Sequence, residues 1–98
     1  MARKVADNRV AIAGAGGIRS VVDAMERHKD VADVQENGCG ALHNLANNAD
    51  SRVAIAGAGG IRAVLEAMEQ HKDVAVVQEN GCGALQNLAS NGKKNIYI

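Results

Sequence analysis

Residues 6–48 align with residues 49–91 without a gap, at a constant shift of 43. Eight pairs of positions differ: Asn8/Ser51, Ser20/Ala63, Val22/Leu65, Asp23/Glu66, Arg27/Gln70, Asp33/Val76, His43/Gln86 and Asn47/Ser90. Most of these exchanges keep size or polarity. A fixed period of about 20–50 residues is the signature of an array of stacked units, because one such unit cannot bury its apolar face alone. Similarity this high implies a recent duplication or a designed repeat.

The stretch Gln35-Glu36-Asn37-Gly38-Cys39-Gly40-Ala41-Leu42-His43-Asn44-Leu45-Ala46 returns as residues 78–89 with one change, His43 to Gln86. Its apolar spacing is helical, yet each copy holds two internal glycines. Each glycine costs about 1 kcal/mol relative to alanine, so the four cost roughly 4 kcal/mol. That is a large share of an ordinary domain's stability of ~5–15 kcal/mol. Some close approach must favour a bare backbone there.

Each unit divides into three pieces. Arg9–Ala13 is a short helix candidate, and Gly14-Ala15-Gly16-Gly17 breaks it, since glycine ends helices and allows positive φ. The second helix is expected over Ile18–Lys29, with Ile18, Val21, Val22 and Met25 at i, i+3, i+4, i+7. His28 and Lys29 close it where the helix dipole favours positive charge. Asp30 is the expected N-cap of the third and longest helix, Val31–Ala46. Asn47–Ser51 forms the turn into the second unit. Ile96 and Ile98 fall on Val53 and Ile55 under the same shift, so residues 92–98 read as the start of a third unit within one array spanning residues 1–98.

Bulk properties narrow the function. Eleven Lys and Arg balance eleven Asp and Glu. A nucleic-acid surface or an anionic membrane would demand a basic excess, so neither partner is expected. No apolar run reaches the ~18 residues of a membrane span, and the N-terminus has no apolar signal core. The two cysteines, one per unit, have no C-x-x-C spacing and read as small buried thiols of a reduced chain, cytoplasmic or nuclear. With Tyr97 as the single aromatic, the core must be built from Ala, Val, Ile, Leu and Met, which suits closely packed helices.

The strings Ile12-Ala13-Gly14-Ala15-Gly16-Gly17-Ile18 and Ala41-Leu42-His43-Asn44-Leu45-Ala46, each present twice in phase, resemble the helix 1–helix 2 junction and the helix 3 motif of armadillo repeats. HEAT repeats are a close structural neighbour. The resemblance implies an all-α fold: an α-solenoid wound as a right-handed superhelix, two full three-helix units plus the start of a third. It further implies that helix 3 lines a concave groove in which Asn44 and Asn87 bond the backbone of an extended peptide. Many peptide-binding armadillo units carry Trp where this chain has Gly40 or Gly83. The missing stacking platform argues against peptides of the basic nuclear-import type.

Helical period places residues 33, 37, 40, 44 and 47 on one face of helix 3. Asn offers donors and acceptors, and Gly lets another backbone approach. Asn37, Gly40, Asn44, Asn80, Gly83 and Asn87 are therefore the candidate partner-binding residues; the competing role for the asparagines is to brace adjacent units. Gly38 and Gly81 fit a close helix crossing instead.

Other constellations fail in detail. The glycine string lacks the third glycine of a dinucleotide fingerprint, Arg19 and Arg62 standing there, and the unit has no second strand. Cys39 and His43 are one helical turn apart, but the second unit has Cys82 with Gln86, and two ligands do not close a metal site. No acid, base and nucleophile converge. The sequence thus predicts a non-catalytic scaffold, without cofactor, that binds a protein or an extended peptide along helix 3. The alternative is a minimal structural fragment, natural or engineered, that self-assembles into a homo-oligomer or swaps its terminal helices.

Overall fold

The computed structural model describes the backbone of residues 2–90 and the side chains of residues 8–90. The residues assigned above to a third unit lie outside that range. The described chain is all-helical: α1 (Ala2–Gly14), α2 (Gly17–Arg27), α3 (Ala32–Leu45), α4 (Ala49–Gly57), α5 (Gly60–Gln70) and α6 (Ala75–Ala89). The helices α1–α3 and α4–α6 correspond under the 43-residue shift. α3 lies along α6, and α2 packs beside both α3 and α5.

Each boundary has a local cause. Between α1 and α2, Gly16 takes φ 88°, and Gly59 repeats it at φ 87° between α4 and α5. That left-handed conformation penalises every residue with a Cβ. α4 starts after Asn48, whose Oδ1 accepts a 2.9 Å bond from the Ser51 N–H. In the first unit α1 runs back to Ala2, well before the expected Arg9.

The expected cap of α3 is not formed by Asp30. The turn after α2 is closed by the Val31 N–H on the His28 carbonyl at 3.0 Å, which leaves Val31 extended at φ −99°, ψ 104° as the residue before the helix. The Asp30 carboxylate instead accepts a hydrogen bond from the Gln70 side chain of the second unit. Lys29 lies beyond the C-terminus of α2, whose cap is His28.

The core is aliphatic, as the composition demands. Ile18, Val22, Met25, Cys39, Leu42, Leu45, Ile55, Val64 and Val77 are buried in one continuous cluster across both units. Burying a single such side chain contributes roughly 1.5–3 kcal/mol. Within it, α2 crosses α3 where Gly38 faces Met25: a Cβ at Gly38 would lie 2.6 Å from Met25 Sδ. Gly81 faces Met68 at the same 2.6 Å. These two glycines are the packing residues the sequence suggested.

Gly40 is less confined, its nearest foreign atom being Asn80 Nδ2 at 3.4 Å from an added Cβ. Two neighbouring glycines should therefore respond oppositely to alanine. Gly38→Ala is expected to destabilise the fold by about 1–3 kcal/mol through overpacking against buried Met25. Gly40→Ala is expected to stabilise it by up to about 1 kcal/mol through helix propensity. Thermal and urea unfolding followed by circular dichroism measures both; equal shifts would contradict the packing described.

Candidate functional site

The six candidate residues do not form one continuous free strip. Asn80 donates from Nδ2 to the Glu36 carbonyl at 3.0 Å, and Asn87 donates from Nδ2 to the His43 carbonyl at 2.8 Å. Both acceptors belong to α3, so these amides brace one unit against the other. Asn37 and Asn44, their counterparts in the first unit, are exposed on α3. Identical side chains on equivalent helices thus meet different surroundings. Asn80 and Asn87 have a neighbouring third helix, α3, on their side.

The glycines separate in the same way. A Cβ at Gly83 would sit 3.0 Å from His43 Cε1 and 3.1 Å from its Nδ1. The His43 ring lies against bare backbone at Gly83, and this is the close approach that makes glycine useful there. The sequence placed both Gly40 and Gly83 on an open groove; Gly83 is instead covered by the neighbouring unit's imidazole. His43 is accordingly half-buried, while Gln86, its counterpart, is exposed.

Further polar links cross the unit boundary, one of them from Arg52 Nη1 to the Ala46 carbonyl at 3.1 Å. Gln70 bonds Asp30, His71 Nε2 donates to the Lys29 carbonyl at 2.7 Å, and Lys29 Nζ lies 3.7 Å from Glu66 Oε1. Exposed pairs of the last kind are worth about 0–1 kcal/mol each, so they set register more than stability. The apolar part of the boundary follows the same two-sided rule. Ile18, Val22, Cys39, Leu42 and Ala46 of the first unit are buried against the second; Ile61, Leu65, Cys82 and Ala89 at the equivalent positions are exposed, and Leu85 is half-buried. Conversely Val64, Ala67, Val77 and Ala84 are buried, while Val21, Ala24, Val34 and Ala41 are half-buried and line an open groove with Asp33 and Asn37.

One polar device escaped the sequence reading. Gln35 is buried and donates from Nε2 to the carbonyls of Met25 at 3.0 Å and His28 at 2.9 Å. Gln78 repeats this on Met68 and His71, both at 2.9 Å. Each glutamine satisfies carbonyls left open at the end of the second helix of its unit. The signal available in the sequence was an unchanged glutamine on the apolar side of both third helices.

A wider cleft lies between α1 and α4, lined by Val10, Ala13, Asn48, Ala49, Ser51 and Ala54. None of the candidate residues borders it. Among the described residues no group of three or more His, Cys, Asp or Glu side chains is placed to hold a metal, and no helix is long and apolar enough to cross a membrane. Burial pushes the Cys39 thiol up to about 11, so it is neither a thiolate nor accessible at neutral pH. Cys82, expected to be buried like Cys39, is exposed. No family model matches the chain, and no curated protein or solved structure matches it.

Two outcomes test this geometry. In dilute native protein, Cys82 should react with a thiol reagent at a free-thiol rate, while Cys39 should react only on unfolding; equal rates would contradict the burial difference. Replacing Asn80 and Asn87 together by Ala should cost about 1–3 kcal/mol by equilibrium unfolding, from two net hydrogen bonds. The same change at Asn37 and Asn44 should cost near zero.

Proposed function

We propose that this chain is a non-catalytic protein-binding scaffold, built from armadillo-type units stacked as a short α-solenoid, and that Asn37 and Asn44 engage main-chain carbonyls of its partner. The observation that carries this reading is the pair of bonds made by Asn80 and Asn87. Where a helix lies alongside, this amide pair binds two of its backbone carbonyls. The first unit offers the same pair, at the same seven-residue spacing, to solvent.

A helical carbonyl already engaged in its own helix keeps a second lone pair for such a bond. Seven residues of α-helix rise ~10.5 Å. In an extended strand, carbonyls on one side recur at about 6.6 Å and 13 Å. The amide spacing therefore suits a helical partner lying along α3 better than a strand. Asn87, the other asparagine expected to hold an extended peptide across the groove, already donates to α3. Recognition of main chain gives affinity with little sequence selectivity; the flanking Val34, Ala41 and Asp33 would supply the latter.

Selection of binders from a displayed library of helical peptides tests the proposal. Peptides captured by the native chain should lose about thirty-fold in affinity when Asn37 and Asn44 are both replaced by Ala, the equivalent of ~2 kcal/mol for two hydrogen bonds. Circular dichroism should show the helicity unchanged. Affinity that survives the double replacement would remove these residues from the site.

A further inference from the structure

We infer that a second copy of this chain docks head to tail, the α5/α6 face of one copy seating on the α2/α3 face of the next. This rests on the proposal that Asn37 and Asn44 engage backbone carbonyls, and it names the partner. The internal boundary between the two units is the template, and both of its halves are present again on opposite faces of the molecule.

The asparagine, histidine and charged links between the second and third helices of the two units have their donors and acceptors repeated at the two open faces. Asn80 on the Glu36 carbonyl becomes Asn37 on the Glu79 carbonyl of the preceding copy, and Asn87 on the His43 carbonyl becomes Asn44 on that of Gln86. His71 on the Lys29 carbonyl becomes His28 on that of Lys72. Lys29 with Glu66 becomes Lys72 with Asp23. Gln70 with Asp30 becomes Arg27 with Asp73, a neutral donor replaced by a cation facing the same carboxylate. Arg27 and Asp73 are both exposed.

The apolar surfaces match as well. Ile61, Leu65, Cys82, Leu85 and Ala89 are the side chains whose counterparts fill the internal boundary from one side. Val21, Ala24, Val34 and Ala41 are the counterparts from the other side. Gln86 would lie over Gly40 as His43 lies over Gly83, which gives the bare backbone at Gly40 a use. Ser20 and Asp33 stand where the internal boundary has Ala63 and Val76. The intermolecular junction is therefore more polar than the internal one, and weaker. The interface is heterologous, so association continues from copy to copy instead of stopping at a symmetric dimer.

Sedimentation equilibrium on the full chain across a concentration series tests the inference. The native chain should rise above its single-chain mass of 10.1 kDa. Asp73→Arg sets a second cation against Arg27, and Arg27→Asp sets a second carboxylate against Asp73. Each variant alone should associate at least about ten-fold more weakly, because like charges are juxtaposed. Mixing the two variants should restore association, since both junctions in the mixture are then of opposite charge. The Cys82 thiol should become protected in step with the mass. Both residues are surface-exposed, so folding is not at stake, and Ala41→Arg supplies an independent steric block. A native chain that stays at one mass, or a mixture no heavier than its components, overturns head-to-tail docking. If helical peptides still bind through Asn37 and Asn44 in that case, only the identity of the partner falls; if they do not, the binding reading falls with it.

Discussion

Two helices, α3 and α6, lie close enough for side-chain amides on one to bond main-chain carbonyls on the other. That approach needs small surfaces on both sides. Gly83 accepts the His43 ring against its backbone, and Asn80 fits beside Gly40. It also needs the second helix of each unit to be held firmly under the third. The Gln35 and Gln78 side chains do this by binding the last carbonyls of α2 and α5. The buried part of the boundary is then aliphatic packing, with the polar links Gln70–Asp30, His71–Lys29 and Lys29–Glu66 at its exposed margin.

This arrangement makes burial a property of neighbours. Cys39 and Cys82 have the same flanking sequence, yet one thiol is fully enclosed and the other exposed. Val22 is buried where Leu65 is open, and Ala84 is buried where Ala41 lines a groove. Each unit therefore has two non-identical faces, and the chain displays one of each. A surface that already packs well against its complement inside the molecule is well suited to meet that complement on another helix.

Most of the helical content was legible in the residues themselves. The 43-residue repeat, the apolar spacing in Ile18, Val21, Val22 and Met25, and the glycine break before Ile18 all follow from local periodicity and backbone sterics. The roles of Gly38 and Gly81 as crossing points were legible too, since small residues on an apolar helix face have few other uses. Boundaries fared less well where the chain beyond the helix decided them. Asp30 had the chemistry of an N-cap, but the turn from His28 to Val31 moved the helix start past it and left its carboxylate for Gln70.

The sequence by itself determined an all-helical chain of two equivalent three-helix units with an aliphatic core, because period, propensity and glycine placement act over a few residues. It could not distinguish Asn37 from Asn80, or Gly40 from Gly83, because their local sequences are nearly identical and local physics treats them alike. Only the tertiary structure separated them. It placed another helix within reach of Asn80 and Asn87, and an imidazole over Gly83, while leaving Asn37 and Asn44 facing solvent. The hydrogen bonds and burial that set their roles come from residues about forty positions away, and such contacts exist only once the units have packed.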